Sequence, residues 1–101
     1  MYTKSPDIIE NEIENEIIIF DNKNKKYYML NEIATIIWKK IFDISETKIL
    51  AEYIYNLIDN KENLNIKNIE DDVQSTINTF IKNKLLLKEK NELLNISSEN
   101  N

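Results

Sequence analysis

The sequence predicts a small α+β domain, an antiparallel three-stranded meander followed by three helices. Two observations carry this. Between Ile8 and Leu30 the apolar residues come in short β-rich runs separated by polar turns. From Asn31 onward they recur at three- and four-residue spacing, which is the period of an amphipathic helix. The chain has 101 residues, enough for one core but not for a deep enclosed substrate cavity.

The strands come first. Residues 1–7 read as a polar lead-in that ends near Pro6. Ile8 to Ile13 is a weak strand, and Glu14-Asn15 turns the chain. Glu16 to Phe20 (EIIIF) is β-branched and aromatic and reads as a more buried strand. Asp21 to Asn24 is turn chemistry without glycine. Because the chain has no Gly, positive-φ turn positions are expected to fall on Asn or Asp. Lys25 to Leu30 is the third strand. Side chains alternate along it, so Tyr28 and Leu30 share one face and Tyr27 and Met29 the other. Leu30 leads straight into a helix, which places Tyr28 and Leu30 inward.

The helices follow. Asn31 is the expected N-cap of the first, with Glu32 beside it favoured by the helix dipole. Its apolar stripe is Ile33, Ala34, Ile37, Trp38 and Ile41, and Trp38 at that spacing belongs to the core. Ser45 is the expected cap of a second helix running from Glu46 to about Asp59. Asp59 to Lys67 reads as a loop. Asn68 is the expected cap of a third helix whose inner face is Ile69, Val73, Ile77 and Phe80, with Glu70, Asp71 and Asp72 in its first turn. Leu85 to Leu87 is a short extended return. The folded domain is expected to span 8–87, with 88–101 a flexible tail. The last two helices and the loop between them resemble a winged-helix arrangement.

Several function classes are excluded or disfavoured. The chain contains no Cys and no His, so there is no disulfide, no thiolate site and no histidine proton shuttle. No Gly-rich phosphate loop exists. Neighbouring carboxylates on a helix diverge, so Glu70-Asp71-Asp72 is not a paired acid/base site. A net charge of −5 argues against nucleic acid as partner. No segment is long and apolar enough to span a bilayer, and neither signal peptide nor cofactor motif is present, so a non-catalytic cytoplasmic protein is expected, with no membrane partner. The residues free for function are those of the third strand. Lys23, Lys25 and Lys26 form a basic cluster at its start. They either protect an edge strand or guide an acidic peptide.

IIIFD, a turn, and then KKYYMLNEIATIIWKKI resemble the PqqD-like family, in which a strand ends in Tyr-x-Leu-Asn and runs into a helix. Ile69-x-x-Asp72-Val73, followed by Ile77, Phe80 and Leu85-Leu86, resembles that family's later helix and terminal apolar pair. The resemblance implies a winged-helix-like recognition element for ribosomally synthesised, post-translationally modified peptides. Such an element is non-catalytic. It holds the leader region of a precursor as an added strand and presents it to a modifying enzyme, often a radical S-adenosylmethionine maturase. The strand carried over is Lys25, Lys26, Tyr27, Tyr28, Met29 and Leu30. The facing helix contributes Asp72 and Thr76, with Phe80 on the groove floor, and helical spacing adds Thr79 and Asn83. Thr76 and Lys84 depart from the family pattern, which favours a bulky apolar residue and a Gly there. Alternatives are an acidic winged-helix regulator and an interaction module that pairs its open edge in a homodimer.

Overall fold

The computed structural model describes residues 1–58 and 64–88. The elements are β1 (Tyr2–Lys4), β2 (Ile8–Ile13), β3 (Glu16–Asp21), β4 (Lys26–Met29), α1 (Glu32–Lys40), α2 (Thr47–Leu57), α3 (Ile66–Lys82) and β5 (Leu86–Lys88). β2, β3 and β4 form the expected antiparallel meander in chain order. The architecture is the α+β, winged-helix-like one read from the sequence. No helix among the described residues is long and apolar enough to cross a membrane.

One element was not anticipated. The polar lead-in contains a strand: β1 pairs antiparallel with β5, with Thr3 opposite Leu87. Ser5 N–H then donates to Leu85 O at 3.0 Å, so the pairing carries on past the strand. A three-residue strand with two polar members has no periodicity to read, and its partner lies at the other end of the chain. The described strands and helices therefore begin at Tyr2 and include Lys88, one residue past the expected domain end. The rest of the expected tail, 89–101, lies outside the described residues, as do 59–63 of the expected loop.

The core forms where the inner sheet face meets the helices. Ile17 and Ile19 of β3, Leu30, and Ile37, Trp38 and Ile41 meet Leu50 and Ile54 of α2 and Val73, Ile77 and Phe80 of α3. Trp38 is 1% exposed and packs edge-on against Phe80, ring centroids 5.2 Å apart. Its indole N–H donates to Glu10 Oε1 at 2.8 Å, so the one polar atom of that buried ring is satisfied. Each fully buried aliphatic of this kind contributes about 1.5–3 kcal/mol.

The caps show where local signals held and where they did not. Asn31 Oδ1 accepts the Ala34 N–H at 2.8 Å, as expected of an N-cap. Ser45 does not cap α2: Glu46 holds that position, and no side chain bonds there. α3 begins a turn earlier than expected, with Asn65 rather than Asn68 as cap, accepting from Lys67 N–H at 2.8 Å. Both asparagines fit the rule, but the Asn68 N–H already donates to Asn65 O at 3.0 Å, so Asn68 lies inside the first turn. Consequently Glu70, Asp71 and Asp72 lie in the second turn, and α3 has no acidic residue in its first. Positive φ falls on Glu14, Asn15, Lys25 and Lys84, so three of these four turn positions are neither Asn nor Asp. Lys84 is the left-handed residue of a Schellman cap. Its N–H reaches Ile81 O, and Leu85 N–H reaches Phe80 O, each at 3.0 Å. This closure seats Leu85 beside Phe80.

Candidate functional site: an open strand edge facing a helix

The site begins with how the β3–β4 hairpin is held. Asp21 is buried at the end of β3. Its Oδ1 accepts from Lys23 N–H (3.0 Å) and Asn24 N–H (3.1 Å), and its Oδ2 from the Asn24 side-chain amide (2.8 Å). The Asn24 hydrogen bonds, side chain first and then backbone, hold this carboxyl below its ordinary value. Lys25 takes φ 58° and ends the turn, so β4 starts at Lys26, one residue later than expected.

The ladder assigns each backbone group of β4 a direction. Leu30 N–H donates to Ile17 O at 2.8 Å, which makes Leu30 and Ile17 a hydrogen-bonded pair. Antiparallel pairs alternate, so Tyr28 with Ile19 and Lys26 with Asp21 are bonded as well. The N–H and C=O groups of Tyr27 and Met29 therefore point away from β3, towards an edge that no described strand covers. At the far end, the Thr35 hydroxyl completes the ladder. It accepts from Ile17 N–H at 3.0 Å and donates to Leu30 O at 3.3 Å. Thr35 is 2% exposed, and sequence reading had missed it because a Thr on an apolar stripe has no signal of its own.

Beside the open edge runs a groove of about 420 Å³. Tyr27, Tyr28, Met29 and Leu30 form one wall, and Ser75, Thr76, Thr79 and Asn83 of α3 the other. Ala34, Phe80 and Leu85 complete the lining. The lining carries no charged side chain. The Thr76 and Thr79 hydroxyls donate back to Asp72 O (2.8 Å) and Ser75 O (3.0 Å), so their protons are spent while their oxygens still accept. The lining offers hydrogen-bond acceptors above an apolar floor.

The candidate residues distribute unevenly. Tyr27, Tyr28, Met29, Leu30, Thr76, Thr79, Phe80 and Asn83 meet in this groove. The alternation held, with Tyr27 and Met29 exposed, Tyr28 half-buried and Leu30 buried. Lys25 and Lys26 stand at the mouth, outside the lining. Lys25 Nζ donates to Asn22 Oδ1 at 2.9 Å and lies 6.0 Å from the Phe20 ring. Asp72 lines a different cavity, of about 210 Å³, among Ile33, Ile54, Leu64 and Ile69. It touches the groove only through its neighbour Thr76, which lines both. Three lining residues were missed. Ser75 follows from the helical period, four before Thr79, whereas Ala34 and Leu85 required the tertiary fold. No group of three or more Asp or Glu among the described residues is placed to hold a metal ion.

No protein-family model matches the sequence, and no curated protein matches it. Two solved structures share its fold. TbiB1, in complex with the TbiA(beta) leader peptide, superposes with a TM-score of 0.72 at 13% identity, over 88% of this chain and 99% of that one. A lasso peptide synthetase B1, complexed with the leader peptide, gives a TM-score of 0.73 at 16% identity, over 86% and 98%.

Proposed function

We propose that this chain is a non-catalytic binder of precursor peptides, which takes the leader of a ribosomally synthesised peptide as a fourth strand on β4. The observation that carries this reading is the pairing of an open strand edge with a groove. Tyr27 and Met29 offer main-chain donors and acceptors along one wall, and α3 supplies a second wall within side-chain reach. Strand addition draws affinity from the main chain and specificity from alternate side chains. The fold supports the same reading, since both solved neighbours hold a leader peptide.

Alternate leader side chains enter the groove over Phe80 and Leu85, and those between them lie over the exposed faces of Tyr27 and Met29. Each main-chain hydrogen bond adds about 1 kcal/mol net, so discrimination falls to the groove side chains. The bound precursor is then presented to a modifying enzyme. A radical S-adenosylmethionine maturase is the partner class that the sequence resemblance implies, and the lasso peptide synthetase neighbour adds a second class to test.

Calorimetric titration with the leader of a precursor peptide encoded beside this chain's gene tests the reading. Saturable one-to-one binding at micromolar concentration or tighter is expected. An absence of heat and of spectral change with every neighbouring precursor would refute it.

A further inference from the structure

The groove itself is uncharged, but its two ends are not. At the hairpin end stand Lys23, Lys26 and Lys84, all exposed, with Lys23 and Lys84 lining one small cavity between the hairpin and the end of α3. None of the three forms a salt bridge among the described residues; Asp7 and Asp21 line the same small cavity, and the Lys23 charge helps hold the Asp21 carboxyl ionised, so Lys26 and Lys84 are the freer cations. The lysines that do form ion pairs lie elsewhere: Lys4 with Glu10, Lys39 with Glu12 and Lys67 with Asp71. At the opposite end, Glu14 and Glu16 flank Met29 and Leu30. Glu32 opens α1 just beyond, and Asp72 sits past Thr76. These carboxylates also lack ion-pair partners among the described residues.

From Lys26 to Leu30 the strand covers roughly 13 Å at ~3.3 Å per residue. That exceeds the screening length of about 8 Å at physiological ionic strength. Each end therefore acts on its own flank of a bound peptide, and the fields do not cancel in the middle.

We propose that the site reads the charge polarity of its peptide. This inference rests on the strand-addition reading above. Every pairing within the meander is antiparallel. A peptide that continues the pattern runs from the Leu30 end towards the Lys26 end. Its preferred sequence carries basic residues before the strand-forming core and acidic residues after it. The uncharged lining leaves the core to select apolar and small polar side chains, while the flanks fix direction and register. Opposed charges at the two ends reject the reversed peptide, since like charges placed together are unfavourable. Three lysines on a chain of net charge −5 make a poor nucleic-acid surface, and carboxylates bound the groove's other end.

The test is selection of a displayed random short-peptide library on the full chain, repeated on the triple variant Lys23→Glu/Lys26→Glu/Lys84→Glu. The most enriched peptide and a synthetic isomer with its flanks exchanged are then titrated at low and high salt. Wild type should enrich Asp and Glu after the apolar core. The triple variant should lose that bias or reverse it. The exchanged isomer should bind about tenfold more weakly at low salt, as expected when two or three exposed ion pairs are each lost, and the gap should close at high salt. Peptides enriched without charge bias, an acidic bias before the core, or equal affinity of the two isomers would overturn the polarity and leave strand addition standing. Failure to enrich any peptide that perturbs β4 would remove both. Tight, salt-sensitive binding of random duplex DNA, lost in the triple variant, would overturn the inference in favour of nucleic acid. A milder Lys26→Gln variant guards against loss of fold and should reduce the acidic bias without removing it.

Discussion

The meander has two open edges, and they are built differently. By the same alternation that frees Tyr27 and Met29 on β4, Ile8, Glu10 and Glu12 turn their backbone groups outward on β2. The β2 edge is guarded. Glu10 binds the Trp38 indole N–H and Lys4, and Glu12 binds Lys39 of α1 at 2.7 Å. Charged side chains directed inward from an edge strand oppose addition of a further strand. The β4 edge has the opposite character: Tyr27 and Met29 are 70% and 79% exposed, and a groove runs beside it. An open edge alone does not make a binding site. The proposed site is the unguarded edge with a second wall.

The largest effect expected from disturbing this contrast is on stability. Thr35→Val leaves Ile17 N–H and Leu30 O without their buried partner, at a cost of about 1–3 kcal/mol. Denaturant unfolding should register the loss. Hydrogen exchange should quicken at the Leu30 end of β4 more than anywhere on β2. Next come paired prolines, one on each edge, placed where the N–H points outward and no ladder bond is lost. Tyr27→Pro should weaken leader binding about tenfold, or ~1.4 kcal/mol, whereas Glu12→Pro should leave it unchanged; equal losses in titration would erase the distinction between the edges. Removing the guard with Glu12→Ile should turn β2 into a second sticky edge, seen as concentration-dependent association in sedimentation, with leader affinity unaffected.

The smallest effect concerns pH. The folded-state carboxyl of Asp21 lies below its ordinary value because Asn24 hydrogen-bonds the charged form. Its contribution is therefore present above the unfolded-state pKa and disappears as pH falls through the folded one. Acid titration of stability should show this loss, and Asp21→Asn should flatten that part of the curve. If the hairpin controls the site, leader affinity should decline over the same range.

Much of this was legible in the sequence. Period-two alternation gave the faces of Tyr27 to Leu30, and period 3.6 placed Trp38 in the core. The Asn31 cap followed from its position between strand and helix. What escaped was either non-local or ambiguous. β1 and β5 pair from opposite ends of the chain and are three residues each. The Glu10–Trp38 bond crosses from sheet to helix. Asn68 was the expected cap of α3, but the helix starts from Asn65, within the stretch read as a loop. At the site, the family resemblance supplied Thr76 and Asp72 and helical spacing added Thr79 and Asn83; the path of the groove takes in Thr76, Thr79 and Asn83 but leaves Asp72 in the neighbouring cavity. Lys84 in the left-handed region was unforeseen because a lysine carries no conformational signal for it, although the Gly that the resembling family favours there does. Yet that cap seats Leu85 in the groove.

The most direct test of the account is amide hydrogen exchange of the uniformly labelled protein, residue by residue, with and without a bound leader peptide. If the leader adds to β4, the Tyr27 and Met29 amides, unprotected when free, become protected on binding, with intermolecular strand contacts to the peptide and no change at Ile8, Glu10 or Glu12. Protection appearing along β2, or a bound peptide that leaves Tyr27 and Met29 exchanging freely, would contradict it.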